Sequence, residues 1–189
     1  MPKRLDVPAI TFAAFSILYP LIAVAMLRTL GPTSAVVLVI LVLGARLLLP
    51  AQRAMPLSII LALLPVIIAV AIVAFFDRPF SLRLYPVFMN IAMLAAFGAT
   101  LITPPSMAER FARSLEPDLP EAGVRYTRNV TAVWVGFFAV NGTIALWSAL
   151  QPGWKVWILY NGFISYIAAG LLFAGEYLVR QRVRRRYEQ

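Results

Sequence analysis

The side chains that could carry out chemistry in this sequence are few, and nearly all are carboxylates or guanidinium groups. The chain has 17 Lys and Arg residues, 8 Asp and Glu residues, no His and no Cys. Without His, the commonest general base and metal ligand is missing. Without Cys, disulfides, thiolate metal sites and cysteine nucleophiles are excluded. Acid–base chemistry would therefore depend on carboxylates, and the other chemistry open to the chain is the binding of anions by arginine.

The acids that could serve an enzyme are Glu109, Glu116, Asp118 and Glu176, working together with arginines. None of them lies in a nucleotide-binding P-loop, a serine-hydrolase elbow or a zinc-protease motif, and the histidine–acid pair of acyltransferases is absent. No apolar run carries an acid or a lysine near its centre that could relay protons. We therefore predict a protein that is not an enzyme and has no cofactor and no metal site.

The segment that contains three of these acids has the pattern of a short amphipathic helix. Ser106-Met107-Ala108-Glu109 matches a capping box, in which the Ser hydroxyl accepts from the Glu amide and the Glu carboxylate accepts from the Ser amide. Met107, Phe111 and Leu115 then recur at every fourth position and form one apolar stripe. The pattern predicts an interfacial helix over about residues 106–116, about three turns long, that lies on the membrane surface.

Four arginines in and after this helix could bind phosphate groups: Arg110, Arg113, Arg125 and Arg128. Glu109 and Arg113 are four residues apart in the favoured order for an ion pair, which we expect to be exposed. One interpretation is a re-entry loop that only holds two membrane spans in register. The other is a docking surface for a partner protein or lipid head groups, formed by Glu109 and these arginines.

The elements that must position these residues are membrane helices. The chain is 61% hydrophobic and 13% charged, with a mean hydropathy of +0.83, and a water-soluble domain of this size could not bury that much apolar surface. Apolar runs of about 20 residues indicate membrane spans. We predict an all-α membrane domain over residues 1–189, with six spans at about 9–27, 34–49, 57–76, 86–102, 130–150 and 154–179.

The distribution of charge predicts which side of the membrane each loop faces. With both termini in the cytoplasm, only Arg28, Arg78, Arg83 and Lys155 lie on the outer side. The remaining basic residues face inward, as the positive-inside rule requires. They are Lys3, Arg4, Arg46, Arg53, Arg110, Arg113, Arg125, Arg128, Arg180, Arg182, Arg184, Arg185 and Arg186. The net charge of +9 is explained in this way by topology and by anionic phospholipids, without a nucleic-acid partner.

Two Asn-Gly dipeptides lie inside apolar runs, at Asn141-Gly142 and Asn161-Gly162. At about 1.5 Å of rise per residue, both asparagines are near the middle of the bilayer, so antiparallel neighbouring helices could bring them together. An amide that faces lipid is costly, and each should face a partner. The pair predicts either a hydrogen-bonded clamp between helices or a polar site for a transported substrate.

The last span ends in an acid and a run of arginines. Glu176 is the only acid inside an apolar run, which makes it a functional candidate, although Arg180 at four residues' distance predicts a plain ion pair. Arg180, Arg182, Arg184, Arg185 and Arg186 follow directly, and each could contribute about 1 kcal/mol of attraction to anionic lipids. We interpret them as a topology anchor and as a lipid contact.

Three stretches together resemble a family of small bacterial membrane proteins without an assigned activity: PSMAERFARSLEPDLP, GVRYTRNVTAVWVGFFAVNG and LYNGFISYIAAGLLFAGEYLVRQRVRR. Members of that family are often encoded beside fatty-acid-synthase-like or aryl-polyene genes. The resemblance covers the second half of the chain. A fainter similarity, through Trp134, Phe137-Phe138 and Asn141, is to the inner-membrane intracellular septation proteins.

The resemblance, together with the basic loop, predicts an accessory protein of the bacterial inner membrane that supports envelope-lipid or polyene-lipid biosynthesis. Its expected partners are anionic phospholipids and a biosynthetic protein in the cytosol or the membrane. The alternative is a small transporter of a lipid or lipid precursor, with a path near Asn141 and Asn161.

Overall fold

In a computed structural model of the chain, the described residues are 29, 33–34, 36–37, 40–41, 57–114 and 116–187, with only the backbone described at 57–62 and 184–187. These residues are predominantly helical, which confirms the all-α prediction. The helices are α1 (Leu57–Phe76), α2 (Arg78–Ile102), α3 (Met107–Arg113), α4 (Glu121–Leu150), α5 (Lys155–Leu159) and α6 (Ser165–Tyr187), with a π-helical segment (Tyr160–Ile164) between α5 and α6.

Three stretches of helix are long and apolar enough to cross a membrane: Arg78–Ile102, Glu121–Leu150 and Lys155–Val183. In α1, the apolar part with described side chains, Leu63–Phe76, is shorter. Of the first two predicted spans, residues 9–27 lie outside the described residues, and only positions 34, 36, 37, 40 and 41 of the second are described, all of them helical. The described part of the chain therefore supports a membrane protein, but it does not support a count of six spans.

Helix α2 begins at Arg78, well before the residue 86 that the sequence predicts. Its first turn is closed by Asp77, whose carboxylate Oδ1 accepts from the Phe80 amide at 2.9 Å. Pro79 fits there because the first turn of a helix does not need its amide hydrogen. The prediction took Pro86 as the helix start, but Pro86 lies inside α2. Asp77 alone separates α1 from α2, so these two helices form a tight pair.

Helix α4 also begins earlier than predicted, at Glu121 instead of residue 130. The preceding Pro120 is its N-cap, and Glu121 lies in the first turn, where a negative charge is favourable. The polar residues of this first part were assigned to a loop because they are too polar for a span. They instead form helix that is continuous with the apolar part.

The loop helix and the last span also differ in length from the prediction. Helix α3 ends at Arg113 rather than residue 116, so it has about two turns instead of three. The last span begins at Lys155, one residue later than predicted, and its helix continues through residue 187 rather than ending at 179. The π-helical segment interrupts it at Tyr160–Ile164.

The helices pack around α2, which has its most extensive contacts with α4 and then with α1. The largest apolar cluster joins α1 to α2 through Leu63, Val66, Val70 and Leu82. A separate cluster at the end of α2 holds Ala96 against Met107 of α3. Helix α2 therefore packs against both α1 and α4, and the loop helix α3 packs more extensively against α4 than against α2.

Candidate functional site

The start of α3 is held between α2 and α4 by two threonine hydroxyls. The Met107 amide donates to Thr100 Oγ1 of α2 at 2.9 Å, and the Ala108 amide donates to Thr131 Oγ1 of α4 at 3.0 Å. Both threonines are buried, and Met107 is fully buried as well. The first amides of a helix have no partner within the helix, so these two hydroxyls supply partners from neighbouring helices. Helix α3 is thereby fixed against α2 and α4.

Glu109 is part of the same attachment. Its carboxylate Oε2 accepts from the Ser106 amide at 3.3 Å, and its Oε1 accepts from Arg113 Nε at 2.9 Å. The Ser106 hydroxyl is placed for the other half of the capping box but makes no hydrogen bond. The ion pair with Arg113 is present, but only 5% of Glu109 is exposed, contrary to the expectation of an exposed pair. Glu109 therefore supports the loop, and its carboxylate is not open to a ligand.

The four arginines predicted to bind phosphate differ in how firmly they are held. Arg110 Nε donates to the Pro105 carbonyl at 2.9 Å, and Arg113 Nη1 donates to the Pro117 carbonyl at 3.0 Å. Arg125 is 4.0 Å from the Glu121 carboxylate, with both side chains largely exposed. Arg128 is also exposed, and no bond to it is seen within the described ranges. Arg125 and Arg128 are thus the guanidinium groups most open to a ligand.

These arginines belong to one end of the helix bundle. Thr131, which holds α3, is three residues after Arg128 and six after Arg125 on α4. At about 1.5 Å of rise per residue, Arg128 and Arg125 lie roughly 4 and 9 Å from Thr131 along the helix axis. The loop helix and the start of α4 therefore present their cations at the same end of the molecule.

Asn141 is in a hydrogen-bonded chain that crosses from the last span to α2. Tyr160 Oη donates to Asn141 Oδ1 at 2.8 Å, and Asn141 Nδ2 donates to Asn90 Oδ1 at 3.0 Å. Asn90 Nδ2 in turn donates to the Pro86 carbonyl at 2.7 Å. Each step has a donor and an acceptor, so both ends of the Asn141 amide have partners, and the chain ties three helical elements together.

Close packing of α2 and α4 depends on Gly142, beside Asn141. A Cβ atom at position 142 would lie 3.0 Å from Asn90 Cβ. Gly136, two turns earlier on α4, has no such neighbour, because a Cβ atom there would meet nothing within 4 Å. Gly142 therefore permits the approach that brings Asn141 and Asn90 within hydrogen-bonding distance.

Asn161 does not pair with Asn141, so the predicted contact between the two amides is not formed. Asn161 Nδ2 donates to Ser148 Oγ of α4 at 2.9 Å and to the Trp157 carbonyl at 3.1 Å. Asn161 is buried within the π-helical segment. A π-helical turn disturbs the regular backbone bonding of a helix, and the Asn161 side chain supplies an additional donor there. The two asparagines connect the last span to α4 at two separate points.

Glu176 forms the predicted ion pair and a contact that was not predicted. Its Oε1 is 3.6 Å from Arg180 Nε. Tyr126 of α4 donates its hydroxyl to the Glu176 carboxylate and to the Glu176 carbonyl, both at 3.2 Å. Arg182 is exposed, and the backbone of Arg184, Arg185 and Arg186 continues α6. The carboxylate of Glu176 thus joins α6 to α4 near the start of α4.

The other end of the bundle is closed by Arg83 and two tryptophans. Trp157 is fully buried, and its Nε1 donates to the Arg83 carbonyl at 2.9 Å. The Arg83 guanidinium carbon is 4.6 Å from the centre of the Trp154 ring, and Nη1 donates to the Gln151 carbonyl at 3.1 Å. Arg83 Nε is buried without a partner. This arrangement fixes the turn between α4 and α5 against α2.

Several of these residues were missed by sequence reasoning, although some left a signal. Asn90 is a lone amide in an apolar run, four residues after Pro86, and could have been singled out in the same way as Asn141. Thr100 and Thr131 gave no signal, because threonine in a membrane helix usually bonds to its own backbone. Arg83 was identified only as a basic residue on the outer side.

No group of three or more Asp, Glu, His or Cys side chains in the described part of the chain is placed to hold a metal ion. Comparisons of the chain with models of protein families, with curated proteins and with solved structures find no significant match. The resemblance to a bacterial membrane family therefore stays a prediction, and the function has to be argued from the geometry.

Proposed function

We propose that this protein is a non-enzymatic accessory protein of a membrane, which binds anionic lipid head groups or an acidic partner through the loop between α2 and α4 and the first turns of α4. The observation that carries the proposal is the attachment of α3. Thr100, Thr131 and Glu109 hold the loop helix by buried hydrogen bonds, while Arg125 and Arg128 remain exposed beside it. A surface fixed in advance binds with a smaller entropic cost than one that must be ordered on binding.

The length of α4 supports the same proposal. Its 30 residues span about 45 Å, whereas the hydrocarbon core of a bilayer is only about 30 Å thick. If the apolar part of α4 fills the core, its first turns extend into the head-group region. Arg125 and Arg128 then lie among lipid phosphates, and arginine binds phosphate oxygens with two parallel hydrogen bonds.

The full topology is part of the proposal. We place the protein in a bacterial inner membrane with six spans and both termini in the cytoplasm, so that the loop and the Arg180–Arg186 tail face inward. The asymmetry of the basic residues supports this orientation through the positive-inside rule. The resemblance to a family encoded near fatty-acid-synthase-like or aryl-polyene genes favours a role in envelope-lipid or polyene-lipid biosynthesis.

The alternative of a lipid transporter with a path near Asn141 and Asn161 has weaker support. The amide of Asn141 is engaged by Asn90 and Tyr160, and that of Asn161 by Ser148 and Trp157. Both amides are therefore already engaged in bonds within the helix bundle. The arrangement favours the interhelical clamp over the substrate site.

Charge reversal at Arg125→Glu and Arg128→Glu tests the proposed surface. Neither guanidinium makes a buried bond, so the double variant should insert and unfold like the parent protein. We expect the purified variant to retain less phosphatidylglycerol, measured by native mass spectrometry, or to capture less of a cross-linked partner in cells. Envelope-lipid profiles should change in the same direction as in a strain that lacks the gene.

The matched control is Arg78→Glu, which changes an exposed arginine at the opposite end of the described helices. It changes the net charge by the same amount per substituted arginine as the double variant does, but it leaves the loop intact. Unchanged lipid retention, partner capture and envelope lipids in the double variant would contradict the proposal, and so would equal losses per arginine in the control.

A further inference from the structure

The end of the bundle opposite to the basic loop contains an open groove beside Trp154. Its volume is about 550 Å³, and it is lined by Trp154, Lys155, Ile158, Leu159 and Phe163. Lys155 is the only charged side chain among these five, and the other four are apolar. The volume falls within the roughly 300–1,000 Å³ of pockets that hold small organic ligands.

The groove has a charged end and an apolar wall, as a phospholipid has a charged head group and apolar chains. Trp154 and Lys155 lie at its start, and Phe163 is eight residues after Lys155, which is about 12 Å further along the helix. Tryptophan prefers the depth of the membrane interface, and lysine extends its ammonium group toward the head groups. The positive charge is therefore at the interface, and the apolar wall runs from it toward the middle of the membrane.

The same end has more positive charge than its own acids can neutralise. Within the described ranges, the cations beside the groove, Arg83 and Lys155, have only Asp77 as an acid at the same end, and its carboxylate is engaged in closing the start of α2. The Arg83 guanidinium lies against Trp154, and among the described residues it has no acidic partner and its buried Nε has no hydrogen bond. A partly buried cation without a counter-charge is costly, so this end of the molecule favours an anionic ligand.

We propose that this groove binds an anionic phospholipid, with one acyl chain along Ile158, Leu159 and Phe163 and with its phosphate at Lys155. Trp154 forms the wall between the two cationic side chains. Arg83 positions that wall, because it lies over the Trp154 ring at 4.6 Å and bonds to the Gln151 carbonyl. It also contributes positive potential on the far side of the ring. The site does not depend on the loop arginines, which lie at the other end of α4.

The first experiment compares lipid retention in Lys155→Gln, Lys155→Arg and the parent protein. Each is purified in mild detergent, exposed to equal amounts of phosphatidylglycerol and phosphatidylcholine, and examined by native mass spectrometry. A lysine near a membrane surface contributes about 1 kcal/mol of attraction to anionic lipid, which corresponds to about five-fold in affinity. We expect phosphatidylglycerol retention to fall about five-fold in Lys155→Gln and to remain in Lys155→Arg.

The matched control is Arg78→Gln, which removes a positive charge at the same end without touching the groove. Equal losses of phosphatidylglycerol retention in Arg78→Gln and Lys155→Gln would show an effect of overall charge and would overturn the proposal. Unchanged retention in Lys155→Gln would also overturn it. Glycerol phosphate, which has the anionic group but no acyl chain, should not displace the bound lipid, and displacement at low concentration would contradict the proposed seating of the chain.

A second experiment locates the acyl chain, with Phe163 replaced by benzoylphenylalanine for photo-crosslinking in vesicles that contain phosphatidylglycerol. We expect a lipid adduct that decreases when Lys155→Gln is added. Cross-linking to the protein's own N-terminal part in place of lipid would show that the chain itself fills the groove. That outcome would overturn this proposal and would leave the proposed role of the loop arginines untouched, since those are tested separately.

Discussion

The connection between α2 and α4 and the connection between α4 and α5 each attach a turn to the same long helix, but they use different chemistry. At the first, small hydroxyls and a carboxylate satisfy the amides of α3, and the large cationic side chains are left outside. At the second, a fully buried tryptophan and a partly buried arginine close the turn, and each donates a hydrogen bond to a backbone carbonyl. The first arrangement leaves Arg125 and Arg128 exposed, whereas the second packs Arg83 against Trp154.

The difference predicts where the bundle is most sensitive to loss of side-chain volume. Trp157→Ala removes a fully buried ring and the hydrogen bond to the Arg83 carbonyl, so we expect the free energy of unfolding to fall by about 3–5 kcal/mol. Denaturation by sodium dodecyl sulfate in mixed micelles measures it. Trp147→Ala is the control, because 55% of Trp147 is exposed, and it should change stability far less. Similar losses in both variants would mean that Trp157 does not close the turn as described.

A smaller effect is expected at the other connection, where a hydroxyl rather than a ring is the critical group. Thr131→Val preserves the shape of the side chain but leaves the Ala108 amide without its acceptor, which costs about 1–3 kcal/mol. The same titration measures the change, and faster hydrogen exchange at Ala108 would locate it.

Thr143→Val provides a close control on the same helix. Thr143 Oγ1 also donates to the carbonyl four residues earlier, as Thr131 Oγ1 does, but it is exposed and receives no bond from α3. Thr143→Val should therefore be nearly neutral. If the two valine variants were equally stable, the Ala108 bond would contribute nothing and α3 would not be held by Thr131.

The smallest effect concerns charge within the loop. Glu109→Gln retains an oxygen for the Ser106 amide but loses the ion pair with Arg113, and we expect a loss of about 0.5–1 kcal/mol that diminishes in high salt. The control is Glu121→Gln, because Glu121 also lies in the first turn of its helix but is largely exposed and 4.0 Å from Arg125; stability should fall less than in Glu109→Gln. A loss in Glu121→Gln as large as in Glu109→Gln would indicate that burial of Glu109 does not matter.

The sequence predicted much of the helical framework because long apolar runs determine where membrane helices can form. It misplaced the starts of α2 and α4 because a proline or a cluster of charges resembles the end of a span, although both fit within a helix that is longer than its apolar run. Pro86 and Arg125 are the clearest cases. Such patterns describe the preferences of a short segment and do not fix where a helix leaves the membrane.

Part of the candidate site was predicted as well, from the capping pattern and the ion-pair spacing of the loop rather than from hydropathy. The capping pattern at Ser106 and Glu109 located the loop helix, and the spacing of Glu109 and Arg113 identified their ion pair. The pattern could not show that Glu109 would be buried, because its burial depends on how α3 packs against α2 and α4, where Thr100 and Thr131 hold it. Asn141 was identified as an amide that needs a partner. Its partner Asn90 was not identified, because a single polar residue hardly changes the average hydropathy of α2.

The π-helical segment sets the rotational phase of everything that follows it. An α-helix turns by about 100° per residue, and a π-helical turn accommodates one residue more in its hydrogen-bonded ring than an α-helical turn does. Removal of one residue from Tyr160–Ile164 would therefore allow a regular α-helix there and would leave α6 close to its present rotation relative to α5. Removal of one residue between positions 165 and 172 would instead rotate the rest of α6 by about 100°. Phe173 and Glu176 would then leave Trp134 and Tyr126, which they now contact. We therefore expect the last helix to tolerate a single-residue deletion within the π-helical segment better than one just after it.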